Sequence, residues 1–309
     1  MGKSEKTMQT FLKILAIFVI VILVAGVVGA IAWQVADRVN GQLISSGEKR
    51  EYLLHVPDSY SGSEAVPLVI TLHGFAQWPA NQAFVSQWNT LADEEDFIVV
   101  YPSGTRFPKR WRASWDGSDP QSVATEVQFF NDLLDKLSQD YVIDPERVYV
   151  NGLSNGAGMS LRLACELPER VAAIGGVAGA YLVDLDDCPG EVPGIFFHGK
   201  ADPIVPFEGG PSERFELPFP NVADFVEEYA SLNHCQPDEQ TFLSEGNVVG
   251  VNYVDCDAGA DVVFYTIEDG GHTWPGGRAL PESITGKTSN ELDATRLLWD
   301  FFVEHPGSR

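Results

Sequence analysis

The run Arg147-Val-Tyr-Val-Asn-Gly-Leu-Ser-Asn-Gly156 constrains this chain more than any other segment. Apolar residues from Arg147 to Val150 lead to Ser154, with Gly152 and Gly156 two residues to either side, and a helix-like stretch from Ala157 to Glu166 follows. The expected local structure is strand, sharp turn, helix. The apex of such a turn takes a strained backbone conformation, and its neighbours approach the adjoining strand and helix so closely that only glycine fits. The serine is lifted clear of the sheet, beside a helix N-terminus whose amides can hold a developing oxyanion. Glycine and serine are common, so the five-residue pattern says little alone. Placed between a strand and a helix, it marks a nucleophile rather than a plain turn.

The rest of the chain supplies the frame that such a turn needs. Tyr52–Val56 reads as an edge strand, and Pro67–Leu72 is a continuous apolar run ending in His73-Gly74, as expected of a buried central strand. Further strands are expected over Phe97–Tyr101, Arg147–Val150, Val171–Val177, Ile195–Phe197 and Val262–Ile267. Helical spacing covers Ala83–Glu94, Val123–Leu137, Val222–Leu232 and Glu291–Val303. Strands alternating with helices imply an α/β fold, a mostly parallel central sheet with helices on both faces.

The N-terminus is of another kind. From Phe11 to Trp33 the chain is almost wholly apolar, with Lys3, Lys6 and Lys13 before or at its edge. About twenty apolar residues span a bilayer as a helix, whereas a cleaved signal has a shorter core. Residues 11–33 are therefore expected to be one transmembrane signal anchor, with signal-peptide cleavage near Ala30-Ile31-Ala32 as the alternative. Residues 1–10 form a short cytoplasmic N-terminus, 34–49 a linker, and 50–306 the catalytic domain. Lysines on the short side place the bulk of the chain outside, membrane-anchored or secreted. The net charge of -24 argues against nucleic acid as a partner.

A serine hydroxyl needs a base, and the base an orienting acid. Among six histidines, His55 lies in an early strand, His234 and His305 near helix ends, and His73 and His198 before glycines at strand ends. His272 sits in the glycine-rich loop Asp269-Gly-Gly-His-Thr-Trp-Pro-Gly-Gly277 after the last strand, which can fold back over the sheet. It is the expected base. Asp202, four residues past a strand end and followed by a proline that stiffens its loop, is the expected acid, with Asp269 its rival. The oxyanion amides are expected at Asn155 and Phe75, with Ala76 as an alternative to Phe75. Trp274, Trp111 and Trp115 are candidate substrate-binding residues, with packing as the competing role. Such a site requires no metal and no organic cofactor.

These segments together resemble one family. Leu72-His-Gly74, Arg147–Gly156, Arg162–Glu166, His198–Pro206 and Gly270–Gly276 are similar, in order, to secreted polyhydroxybutyrate depolymerase-like and feruloyl esterase-like α/β hydrolases. The resemblance implies the α/β-hydrolase fold and ester hydrolysis by Ser154, Asp202 and His272. Glu126-Val-Gln-Phe129 departs from the family's Asp-Val-Gly-Phe run. Four cysteines suit an oxidising compartment and allow three pairings; the sequence-local pairs Cys165–Cys188 and Cys235–Cys256 are expected, and the resemblance supports them. The expected substrates are small or oligomeric esters, either hydroxyalkanoate or phenolic. A peptidase on the same fold, or a tethered binding protein on a hydrolase scaffold, is the alternative.

Overall fold

Alternation along each central strand decides the architecture. Leu68, Ile70 and Leu72 join one buried cluster while Val69 joins another; Ile98 and Val100 part in the same way from Phe97, Val99 and Tyr101. A strand buried on both faces needs apolar side chains in both registers, which is why these runs are continuous. The computed structural model describes residues 38–113, 120–186, 188–212, 214–236 and 240–307. The apolar N-terminal run and Trp115 lie outside the described residues. No helix among the described residues is long and apolar enough to cross a membrane.

The strands are β1 (Gly41–Ser45), β2 (Glu48–His55), β3 (Val66–Leu72), β4 (Ile98–Pro102), β5 (Ile143–Leu153), β6 (Ala173–Val177), β7 (Gly194–Gly199), β8 (Gln240–Glu245), β9 (Val248–Tyr253) and β10 (Val262–Ile267). They form one sheet in the order β1-β2-β4-β3-β5-β6-β7-β10-β9-β8. From β4 to β10 the neighbours run parallel; β1, β2, β8 and β9 add antiparallel margins. The helices are α1 (Pro79–Ser86), α2 (Trp88–Glu95), α3 (Pro120–Asp140), α4 (Asn155–Glu166), α5 (Val222–Leu232), α6 (Glu282–Thr285) and α7 (Ala294–Glu304). Side chains of α3, α4 and α5 pack on one face of the sheet, those of α2 and α7 on the other. This is the α/β-hydrolase architecture.

Several local expectations shift. The helix expected over Ala83–Glu94 is two helices, because Gln87 adopts a left-handed conformation (φ 58°) and its N–H closes on Ala83. The last helix starts at Ala294 rather than Glu291, since the Asp293 carboxylate caps the amides of Thr295 and Arg296. The stretch 34–49, expected as a linker, contains β1, paired antiparallel with β2. Tyr52–Val56 is thus not the edge. The β1–β2 turn, Ser46-Gly47, has positive φ at both residues, and Gly246-Asn247 joins β8 to β9. These dipeptides are the signals that mark both hairpins.

Both expected disulfides form, Cys165–Cys188 and Cys235–Cys256. They tie α4 to the segment before β7, and the segment after α5 to the segment after β9. Each closes a loop of roughly twenty residues, which in the chain-entropy model contributes about 3 kcal/mol.

Candidate active site

Ser154 stands between β5 and α4 with φ 57° and ψ −117°, a conformation that L-residues avoid and that costs about 1–3 kcal/mol. The surrounding backbone holds it there: its N–H donates to Val177 O at 2.9 Å, and its carbonyl accepts from Gly158 and Ala180, both at 3.1 Å. The flanking glycines are obligatory. A Cβ on Gly152 would lie 2.4 Å from the Gly156 carbonyl carbon, and one on Gly156 would lie 2.3 Å from Leu72 O.

Asp202 and His272 come from the loops after β7 and β10, which are parallel neighbours. The two loops touch: a Cβ on Gly199 would meet Gly270 O at 2.1 Å, so only glycine lets them close. His272 Nδ1 lies 2.7 Å from Asp202 Oδ2. The other oxygen, Oδ1, accepts from the Ile204 and Val205 amides at 2.7 and 2.8 Å. Burial alone would raise the carboxyl pKa, but the His272 and His198 imidazoles and the Val205 amide outweigh it and hold Asp202 below its ordinary value. The His272 backbone is anchored by its N–H on Thr285 O at 2.6 Å. Asp269, the rival acid, pairs instead with Lys287.

His198 has a place that its sequence position did not reveal. Its Nε2 lies 3.0 Å from Val205 O and 3.4 Å from Asp202 Oδ2, so Asp202 is flanked by two imidazoles. Burial pushes the His198 pKa down.

The candidate oxyanion amides differ in availability. The Ala76 amide donates to Lys109 O at 2.8 Å, which removes it from consideration. Asn155 opens α4, where first-turn amides lack helical partners. Among the described residues, the Phe75 amide has no hydrogen-bond partner. A Cβ on Gly74 would sit 3.4 Å from Ser154 Cβ, so the loop after β3 lies directly against the serine.

The Trp111 backbone braces Asn155. The Trp111 N–H donates to Asn155 Oδ1 at 2.7 Å, and Asn155 Nδ2 donates back to Trp111 O at 3.1 Å. Trp111 Nε1 donates to His73 O at 2.9 Å. The next residue, Arg112, donates from Nε to Glu126 Oε1 at 2.9 Å, while Arg50 Nη2 reaches Glu126 Oε2 at 2.8 Å. Thr105 Oγ1 adds a bond to Glu126 at 3.1 Å. Glu126 is fully buried. The residue that departs from the family pattern is therefore the centre of an Arg–Glu–Arg cluster that braces the loop clasping Asn155. Three separate chain regions build it, which no local pattern discloses.

A cavity of about 510 Å³ opens beside the serine, lined by Ser154, Asn155, Phe75 and Trp111 and walled further by Ile204 and Val205. Trp111, a candidate substrate-binding residue, lines this cavity and also packs its loop. Trp274 does not: it is 2% exposed, lies in the aromatic core under α7, and donates from Nε1 to Thr295 Oγ1 at 2.8 Å. The chain turns inward two residues after His272, so this indole fills the core and not the cleft.

A doubly covered parallel sheet with a strained serine at the end of β5 is the frame of an α/β hydrolase. Comparison with known proteins agrees. The Esterase PHB depolymerase family model matches residues 50–206. The chain is 30% identical over 287 residues to NocK of Nocardia uniformis subsp. tsuyamanensis, assigned as an esterase, covering 85% of this chain and 81% of that protein. It is 25% identical to feruloyl esterase C of Emericella nidulans, over 82% of this chain and 84% of the relative. Feruloyl esterase B of Piromyces equi is 28% identical, but the chain spans only 42% of its length. The fold is shared with an acetyl xylan esterase from Aspergillus awamori (TM-score 0.53, 17% identity, 75% of this chain and 93% of that one). It is shared too with Thermogutta terrifontis esterase 2 phosphonylated by cyclosarin (TM-score 0.56, 10% identity, 87% and 94%). The protein is a serine esterase, and it belongs to the Esterase PHB depolymerase family.

Proposed function

We propose that the chain hydrolyses carboxylic esters through an acyl-enzyme on Ser154, with His272 as general base and acid and Asp202 as its orienting carboxylate. The observation that carries this reading is the 2.7 Å contact between His272 Nδ1 and Asp202 Oδ2. It commits Nδ1 to donating toward the acid and leaves Nε2 to accept the serine proton. Ser154 Oγ attacks the ester carbonyl as its proton passes to His272 Nε2. The amides of Asn155 and Phe75 receive the developing oxyanion. His272 then protonates the leaving alkoxide, and water repeats the sequence to release the acid and free Ser154.

The substrate class follows from the cavity wall. Phe75, Leu182, Phe215 and Phe219 give it an apolar lining, suited to an aromatic acyl group or a short aliphatic one. Feruloyl-type phenolic esters and hydroxyalkanoate oligomers both fit this description. Two disulfides support action in an oxidising compartment, outside the cytoplasm. The apolar run at residues 11–33 supports export, as an anchor or as a signal.

The test is covalent labelling followed by turnover. A fluorophosphonate should modify wild type at Ser154 and leave Ser154→Ala unmodified. Turnover should be compared on methyl ferulate, hydroxybutyrate oligomers, p-nitrophenyl acetate and a peptide amide. Ser154→Ala should lose several orders of magnitude on every substrate that wild type accepts. A folded wild type that resists the probe and hydrolyses none of the esters would overturn the proposal.

A further inference from the structure

We propose that the cavity beside Ser154 selects esters bearing a negatively charged group, a free carboxylate, held by Arg110 and Arg214. The inference rests on the reading of Ser154 as the nucleophile of that cavity. It starts from a reversal of charge. The chain has 44 Asp and Glu against 20 Lys and Arg, so an arbitrary concave surface on it should be acidic. Among the described residues, the lining of the serine cavity instead carries two arginines and one carboxylate, Glu216.

Among the described arginines, Arg38, Arg106, Arg110, Arg214 and Arg278 have no ion pair, and of these only Arg110 and Arg214 line the serine cavity. Arg50, Arg112, Arg147, Arg162, Arg170 and Arg296 are each ion-paired with an Asp or Glu. Among the described residues, neither Arg110 nor Arg214 has a carboxylate within ion-pair distance, Glu216 included. In so acidic a chain, two guanidinium groups in one cavity that pair with no carboxylate among the described residues are available to an incoming one. A guanidinium presents its donors as a planar fork that matches a carboxylate, which a neutral ester does not exploit.

Both arginines also start from ordered backbone. Arg110 and Thr105 exchange two backbone hydrogen bonds of 3.1 and 3.2 Å, and the following residue is the Trp111 that clasps Asn155. Arg214 lies in a turn built on Ser212, whose hydroxyl accepts from the Arg214 and Phe215 amides at 3.3 and 3.1 Å. The two side chains therefore approach from different loops. Between these loops the Phe75 and Phe215 rings meet edge to face, 5.8 Å between centroids. The site has an apolar wall for a short chain or ring and a cationic element for an acid, which together fit an amphiphilic monoanion.

The carboxylate could sit on the acyl side, as in a half-ester of a dicarboxylic acid, or on the alcohol side, as in the acid end of a hydroxyacid oligomer. Two matched pairs separate these sources. The first sets monoethyl adipate against ethyl hexanoate. The second sets butyrate release from 3-butanoyloxybutanoate against release from its methyl ester. All kcat/KM values are taken at about 0.15 M salt, where a Debye length of about 8 Å screens the remote acidic surface but not groups in contact. Wild type should favour the charged member of at least one pair. The Arg110→Gln, Arg214→Gln double variant should lower that charged-to-neutral ratio about tenfold, since each partly exposed charge pair is worth at most about fivefold. A ratio that the double variant leaves unchanged in both pairs overturns the proposal. Calorimetric binding of monoethyl adipate and 3-butanoyloxybutanoate to Ser154→Ala, with and without the two arginines, gives a readout independent of turnover. If wild type hydrolyses none of the four esters and also resists the fluorophosphonate, the nucleophile assignment fails. The calorimetry then decides the binding proposal alone: loss of affinity with the arginines supports it, and equal affinity sinks it.

Discussion

Asn155 and Trp111 clasp each other through both ends of a side-chain amide, Oδ1 accepting at 2.7 Å and Nδ2 donating at 3.1 Å. The clasp ties the loop after β4 to the first residue of α4. It does so at the residue whose backbone amide is proposed to face the oxyanion. Asn155→Ala keeps that amide and removes the clasp. Two hydrogen bonds of about 1 kcal/mol each are at stake, so kcat should fall by up to about thirtyfold while labelling of Ser154 by a fluorophosphonate persists. Steady-state kinetics on p-nitrophenyl acetate measure this, and an unaltered kcat would show that the clasp does not position the amide.

Glu126 stabilises the same loop from behind. It is buried between Arg50 and Arg112, and Arg50 also lies over the Phe129 ring, 3.7 Å from its centroid. Removing the anion leaves the buried Arg50 and the partly buried Arg112 without their shared partner. Glu126→Gln should therefore destabilise the fold by about 3–5 kcal/mol in urea unfolding. A loss under about 1 kcal/mol would mean that water replaces the carboxylate without difficulty.

His73 makes stability depend on pH. Its Nδ1 bonds Gly74 O at 2.8 Å, and its Nε2 accepts from the Gly104 amide at 3.0 Å. Burial, opposed weakly by the bond to Gly74, lowers its pKa from 6.5 to about 4. Protonating Nε2 would abolish the bond from Gly104. The unfolded chain takes up this proton near pH 6.5 and the folded chain near 4, so the unfolded state binds more protons between them. This stabilisation is complete above the unfolded pKa and is lost as pH falls from 6.5 to 4, about 3 kcal/mol in all. His198, also lowered by burial, and Asp202, held below its ordinary value, act with the same sign. Denaturant unfolding at pH 7 and pH 4.5 should show the decline, and His73→Gln should reduce it. An equal decline in the variant would locate the effect elsewhere.

Trp274 gives a separation of roles. Trp274→Phe removes the bond to Thr295 Oγ1 and part of a buried ring. Stability should drop by about 1–3 kcal/mol, with KM for aromatic and aliphatic esters unchanged. A rise in KM confined to aromatic esters would return this residue to the pocket. Trp111→Phe, by contrast, alters a residue that lines the cavity and should raise KM.

What the amino-acid sequence determined is what short-range rules govern. Gly152 and Gly156 frame Ser154 because backbone atoms leave no room for a Cβ, and that requirement is local enough to read from spacing. The contact of Asp202 with His272 was legible for a related reason: both follow strands of one parallel sheet, whose C-terminal ends share an edge. The hairpin at β8 and β9 escaped because β8 is short and almost wholly exposed and so carries no apolar alternation, although Gly246-Asn247 marks the turn. The tertiary structure alone decided the rest. Glu126 meets Arg50 across 76 residues of sequence, and Trp274 turns into the core while Trp111, equally aromatic, faces the cavity. Strand and turn propensities act over a few neighbours, but the partner of a buried charge and the side on which an indole packs depend on which distant surfaces the sheet brings together.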